Sequence, residues 1–440
     1  MVFSSIRRRH RSLSSGARDL LRGSSWLIVA SVLGQGSMLM ASLLVANLLG
    51  VLDFGHYALL QTTVLILASI AQISFAVVIA QQVSSLRRTN PALAGEVAGF
   101  CLLVASLISA AFTVALVLGR DDLAGFLFRD TGLGWAVACA ALALPWTAVA
   151  AIQQGLFLGL ERFRDQALLS VFTAPAVIAA PAIGAIYWGL GGALLGLAAA
   201  YFLRAAIAQL MVVRAFRAAA IRWSFGHWRA KLALLRDYAL PATLAGLVMW
   251  IATWGGQTLL ARSTGGPGAL GLFAAAFTVR TIVMFVPTQM VGALLPILAR
   301  TQGDPAAGSR RSLLAINLGA SLFITLILAG LGILVAPLLM SAFGQGFDAG
   351  SGALIILLLG TPVEAATVTL YQDIQSRGLF WRVLLWINLP SAVVLLIGGA
   401  LLVPGGHAEG LALAWVIGWA AGLAGTILAM GRRPTAQDLC

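Results

Sequence analysis

Between Gln166 and Leu203 the chain carries no charged side chain. A helix needs about 20 apolar residues to cross the hydrocarbon core of a bilayer, so this run is too long for one crossing and suits two. Its middle reads Tyr187-Trp188-Gly189-Leu190-Gly191-Gly192, a natural place to turn. The rest of the chain is built the same way: 60% of the 440 residues are hydrophobic and 10% are charged, with a mean hydropathy of +0.95. Water is excluded as the solvent of most of the molecule. The net charge of +13 does not indicate a nucleic-acid partner, because the arginines are scattered between uncharged runs and form no basic face. Cys101 and Cys139 lie in apolar runs and Cys440 ends the chain, a spacing with no disulfide or metal pattern.

Dividing the charge-free runs at Gly, Pro and Asn clusters predicts twelve spans. They cover Ser24 to Leu49, Tyr57 to Val83, Val97 to Gly119, Trp135 to Leu158, Gln166 to Trp188, Ala193 to Val213, Tyr238 to Ala261, Leu270 to Ala299, Ser312 to Met340, Gly352 to Gln372, Val383 to Val403 and Gly410 to Met430. Lys and Arg are retained on the cytoplasmic side of short loops. With the N-terminus inside, 23 of the 28 basic residues are cytoplasmic and three, Arg120, Arg129 and Arg262, are outside. Both termini are then cytoplasmic, and the RRRHR run at Arg7 to Arg11 is an uncleaved inside anchor able to touch anionic lipid head groups. The first span is too long for a signal-peptide core.

The halves resemble each other at an offset near 215 residues. Leu20-Leu21-Arg22 matches Leu234-Leu235-Arg236; Leu43-Leu44, Gly55 and Ala58 match Leu259-Leu260, Gly271 and Ala274; Arg88-Thr89 with Pro91-Ala92 matches Arg300-Thr301 with Pro305-Ala306; Pro145 matches Pro362. An even number of spans per unit makes the repeats parallel about an axis along the membrane normal, with a cleft between them. The expected organisation is a basic N-terminus (1–22), an N-lobe of six helices (23–215), a basic linker (216–236), a C-lobe of six helices (237–430) and a tail (431–440).

The segment ANLLGVLDFGHYALLQTTVLILASIAQISFAVVIAQQVS, Ala46 to Ser84, resembles the first loop and second helix of the bacterial polysaccharide-biosynthesis flippases, members of the multidrug/oligosaccharidyl-lipid/polysaccharide exporter superfamily. The Leu-Gly, acidic residue and Phe-Gly-x-Tyr of that connection fall on Leu49, Gly50, Asp53, Phe54, Gly55 and Tyr57, and Gln153 to Val171 is similar to the family's loop between helices 4 and 5. The resemblance implies an all-α membrane protein with the fold of the multidrug exporters in the bacterial inner membrane. It also implies a flippase moving undecaprenyl-pyrophosphate-linked oligosaccharide for O-antigen, capsule or exopolysaccharide synthesis by alternating access, beside glycosyltransferases and a polymerase of the same pathway. No cofactor, catalytic residue or metal is expected.

Charges inside spans are costly and mark function. Three lie deep: Arg204 in span 6, Arg280 in span 8 and Glu364 in span 10. The repeat sets Val64 opposite Arg280 and alanine near 421 opposite Arg204, so neither arginine is required by the repeated unit. One arginine per lobe facing the cleft would suit a diphosphate or an acidic sugar, which guanidinium grips bidentately. Glu364 is expected either to couple transport or to pair with one arginine. Gln35, Gln61, Gln72 and Gln257, with further amides such as Gln153, Gln154, Gln209, Gln289 and Asn317, are candidates to wet the cleft for sugar hydroxyls, and Trp250 and Trp254, four apart, are candidates to line it. Trp26, Trp135, Trp188, Trp223, Trp381 and Trp415 fall near span ends, as an interfacial belt would.

Two other readings fit the composition less well. A cation antiporter of the same superfamily wants carboxylates in its N-lobe, and spans 1 to 6 have none. A membrane polymerase or ligase of lipid-linked sugars needs acid/base groups on a substantial outer loop, and the longest, about Arg120 to Gly134, offers only Asp121, Asp122 and Asp130 beside two arginines. Lipid II flippases carry arginines in the first two spans, where this chain has no charge.

Overall fold

In the computed structural model, residues 2–72, 75–224, 240–300, 307–377 and 379–431 are described, and among them every regular element is helical. The helices are α1 (Val2–Gln72), α2 (Phe75–Leu86), α3 (Pro91–Leu118), α4 (Arg120–Phe128), α5 (Gly134–Ala141), α6 (Leu144–Gly159), α7 (Phe163–Ala218), α8 (Leu240–Ala261), α9 (Gly266–Arg300), α10 (Ala307–Leu334), α11 (Ala336–Ser341), α12 (Ser351–Ser376), α13 (Phe380–Arg382) and α14 (Leu389–Gly431). A wider-wound turn, Val383–Asn388, joins α13 to α14 without interruption. Residues 225–236 of the predicted linker, 432–440 of the tail, and the repeat matches at 234–236, 301 and 305–306 lie outside the described residues.

Eight stretches among the described residues are long and apolar enough to cross a membrane. Three are far too long for one crossing, and each contains a residue whose backbone is not helical: Gly50 in α1, Trp188 and Gly189 in α7, and His407 in α14. Gly50 has φ 73° and ψ 176°, a conformation that side chains with a Cβ avoid, so glycine lets the chain reverse there. The break in α7 falls inside the predicted Tyr187–Gly192 turn. Its two arms lie antiparallel: the Gly184 and Gly192 backbones touch, and Gly196 meets Ala180. The arms of α14 pair likewise, Gly410 on Leu402 and Gly418 on Leu395, and Gly425 meets Trp386 in the wider-wound turn before α14.

Close approach of this kind is how helices cohere in lipid. With no hydrophobic force between them, small residues let backbones meet and dispersion holds them. The interior is accordingly rich in alanine, for example Ala46, Ala71, Ala94, Ala193, Ala275 and Ala412, while leucines such as Leu118 (81% exposed) and Leu401 (75%) cover the outside.

The alternation of helices gives the bundle two ends. At the near end α2 turns into α3 (residues 87–90) and α6 into α7 (160–162), where Arg87 Nη2 pairs with Glu161 Oε2 at 2.6 Å and Arg87 Nη1 donates to the Leu160 carbonyl at 2.8 Å. At the far end lie the breaks at Gly50, Gly189 and His407 and the connections 119–133, 262–265 and 335–350. Tyr187 and Trp188 stand exposed at the far end, and Trp135 is exposed as well, as interfacial anchors do. Trp415 differs from the expected belt: it is buried, edge-on to Phe277 at 5.0 Å and beside Trp419 at 6.2 Å.

Candidate functional site: a polar cavity with one arginine

A cavity of about 430 Å³ opens among the two arms of α1, both arms of α7, α6 and α9. The first arm of α1 lines it from Ala30 to Ser42 and the second from Tyr57 to Gln72, so reversal at Gly50 brings both against one space. Its other walls are Thr147 to Gln154 of α6, Gln166 to Val177 and Leu197 to Arg204 of α7, and Phe285 and Gln289 of α9. Along the bundle these residues run from Ser42, Tyr57 and Leu197, about two turns from the far-end breaks at Gly50 and Gly189, to Gln154, Gln166 and Gln289 nearer the near end.

The wall chemistry is one-sided. Gln35, Gln61, Gln72, Gln154, Gln166 and Gln289 supply amides, Ser31, Ser37, Ser42, Ser69, Ser170, Thr147 and Thr173 supply hydroxyls, and Tyr57 and Tyr201 supply phenols. Arg204 is the single charged side chain among the described lining residues, and no carboxylate is among them. Tyr201 lies one turn before Arg204 on α7, and both line the cavity with Gln61 of α1. Behind Arg204, Gln153 Nε2 donates to the Ala205 carbonyl at 2.9 Å and to Gln209 Oε1 at 3.0 Å, which ties α6 to α7 and sets the level of the arginine.

Of the residues singled out in the sequence, Arg204, Gln35, Gln61, Gln72, Gln154 and Gln289 come together here. Arg280 and Glu364 do not. They pair with each other in the interior formed by α9 and α12, with the Arg280 guanidinium 4.9 Å from the Phe277 ring centroid and 5.0 Å from that of Trp415. Of the two arginines expected to face a common cleft, Arg204 lines this cavity and Arg280 does not; Glu364 takes the ion-pairing alternative of the two expected for it. The reason is local: Glu364, on the facing helix, offers a buried guanidinium the counter-charge that lipid and apolar side chains cannot. Gln257 is buried away from the cavity. Trp250 is exposed outside the cavity, and Trp254 stacks on Phe126 at 6.2 Å and donates from Nε1 to Thr63 Oγ1 at 2.9 Å.

The tyrosines and Gln166 were not anticipated. Tyr201 had a signal, since residues three apart share a helix face. Gln166 and the scattered serines had none, because a serine in a membrane helix more often returns its hydroxyl to its own backbone, as Ser37 does to the Leu33 carbonyl at 2.5 Å. Among the described residues no three His, Cys, Asp or Glu cluster as metal ligands would.

The family model described as "Polysaccharide biosynthesis protein" matches residues 20–302. This chain belongs to that family. It is 26% identical over 374 residues, 80% of each chain, to the EPS I polysaccharide export inner membrane protein EpsE of Ralstonia nicotianae. Among solved structures it is similar to the lipid II flippase MurJ in an inward closed conformation (13% identity, TM-score 0.74, 94% of this chain and 89% of that one). It is also similar to an inward-facing multidrug resistance MATE transporter of the MOP superfamily (16% identity, TM-score 0.67, 92% and 94%). The chain has the fold of the MOP superfamily transporters, as the resemblance at Ala46 to Ser84 implied, and eight of its described stretches are long and apolar enough to cross a membrane.

Proposed function

We propose that this chain flips a lipid-linked oligosaccharide, carried on undecaprenyl pyrophosphate, from the cytoplasmic to the outer leaflet of the inner membrane by alternating access, without enzymatic chemistry. Membership of the polysaccharide biosynthesis family supports the polysaccharide precursor, and the export protein named above is consistent with it. Counting each broken helix as two and adding α8 gives twelve crossings, grouped as an N-lobe over 23–215 and a C-lobe over 237–430. The arginine distribution supports cytoplasmic termini, which makes the near end cytoplasmic.

One observation carries the reading: the cavity holds a single guanidinium amid neutral amides and hydroxyls, with no carboxylate among the described lining residues. Such a wall repels cations, attracts a diphosphate at Arg204 and satisfies sugar hydroxyls that would each cost several kcal/mol unpaired in hydrocarbon. The prenyl tail remains in lipid. Pathway glycosyltransferases and a polymerase would act before and after this step.

Arg204→Ala is expected to lower surface glycan by about tenfold or more at normal protein level, and Arg204→Lys to restore part of it, because an ammonium supplies charge without the bidentate fork. Measurement is by surface polysaccharide assay with quantification of the protein in membranes. Full export by both variants would overturn the role of Arg204, and accumulation of cationic dyes on deletion of the gene would favour a cation exporter.

A further inference from the structure

The far end is closed by contacts that repeat themselves. Asn47 Nδ2, on the first arm of α1, donates to the Ala342 carbonyl after α11 at 2.8 Å. Arg262 Nη1, after α8, donates to the Phe126 carbonyl in α4 at 2.7 Å. Asn47 and Arg262 are related by the offset near 215 residues, and so, to within one residue, are Phe126 and Ala342. Each half gives one side-chain donor to the other half and accepts one on a backbone carbonyl. The same reciprocity holds at the glycines matched in sequence: a Cβ on Gly55 would overlap the Pro267 carbonyl, and one on Gly271 would overlap the Val51 carbonyl. Contacts in which i touches j and j's equivalent touches i's equivalent are the signature of a two-fold axis. Here it runs between Gly55 and Gly271.

These contacts stand at the far end, beyond the cavity-lining residues Ser42 and Tyr57. Asn47, Phe126 and Ala342 are exposed and Arg262 half-buried, so each bond sits at a rim and can exchange its carbonyl for water. Beneath the rim, Phe54 packs against Phe343 at 6.4 Å and Phe347 at 5.8 Å. A seal made of two weak, equivalent bonds over a glycine contact is suited to opening, whereas the Arg280–Glu364 pair inside one half is not.

We propose that Asn47 and Arg262 are twin latches, one from each repeat, that hold the far end shut while the cavity is open toward the near end, with the Gly55–Gly271 contact as the pivot that allows closure. The proposal rests on the alternating-access reading and adds the residues that hold one of its states. Asn47 acts through its amide N–H, and Arg262 through its guanidinium, which also lies 5.1 Å over the Phe126 ring.

The test uses the full chain in intact cells, with Cys101, Cys139 and Cys440 replaced and a reporter introduced as Ser42→Cys in the cavity wall. A membrane-impermeant maleimide is added outside. Loss of one bond is expected to raise the labelling rate about threefold and Asn47→Ala with Arg262→Ala together about tenfold, the range set by one and two modest hydrogen bonds. Asn47→Asp, similar in size but unable to donate, should match Asn47→Ala. Gly271→Ala should also raise the rate with both latches intact, because its methyl meets the Val51 carbonyl. Unchanged labelling in the double variant, or in Gly271→Ala, at normal protein level overturns the proposal. The rate is read without reference to cargo, so opening of the far end in variants whose glycan export is unaffected leaves the latch standing and counts against the transport reading instead.

Discussion

Arg280 is held by the Glu364 carboxylate and by the faces of Phe277 and Trp415. Within the low dielectric of the bundle that arrangement compensates a charge that water cannot reach, and removing one partner leaves the other uncompensated. Glu364→Gln is expected to destabilise the protein by about 3–5 kcal/mol, whereas the double change Arg280→Met with Glu364→Met should recover most of that loss. Thermal unfolding in detergent reads the difference, and a double variant as unstable as the single would show that the pair does more than neutralise itself. Arg204 has the opposite surroundings: half-buried, it faces amides and phenols with no acid among the described cavity residues. The two arginines look alike in sequence, each deep in a span, and only the identity of the facing residue separates a structural charge from one free to meet a ligand.

At the level of the element, the breaks in the long helices decide what the helices can enclose. Gly50 allows α1 to line one cavity with both arms, and Gly50→Ala should cost about 1–3 kcal/mol in backbone strain. The expected result is a lower melting temperature in detergent with unchanged helix content by circular dichroism, while an unchanged melting temperature would mean that the reversal does not depend on that backbone conformation. In α7 the turn at Trp188–Gly189 matters less than the glycines beside it, because Gly184 and Gly192 bring the arms into backbone contact. Gly192→Val would drive the arms apart, and protein level in membranes should fall. Gln153 acts across elements, since its bonds to Ala205 and Gln209 hold α6 to α7 beside Arg204. Gln153→Leu should weaken glycan export with only about 1 kcal/mol loss of stability, in keeping with the modest worth of hydrogen bonds between membrane helices.

For the whole molecule, orientation and pseudo-symmetry are the governing features. Cysteine at Thr131, in the far-end connection, should react with an impermeant maleimide in intact cells, and cysteine at Ser85, at the near end, only after permeabilisation. The reverse pattern would invert the direction assigned to transport. The all-helical, membrane-crossing architecture and the breaks were legible in the sequence because each depends on a property summed along the chain: transfer of about 20 residues into lipid and the freedom of glycine at a reversal. The family resemblance rested on the same local residues, Leu49 to Tyr57. The repeat was legible too, and Gly55 and Gly271, matched in sequence, meet in the fold. What the sequence could not supply was the rotation of each helix about its own axis. In a helix apolar on nearly every face, hydrophobic periodicity does not say which side faces the cavity and which faces a neighbour. Tertiary packing decided that Arg204, Gln61 and Tyr201 share a cavity, that Arg280 turns toward Glu364, and that Trp415 leaves the interface for the interior. Those choices follow from contacts between residues far apart in the chain, which no local pattern encodes.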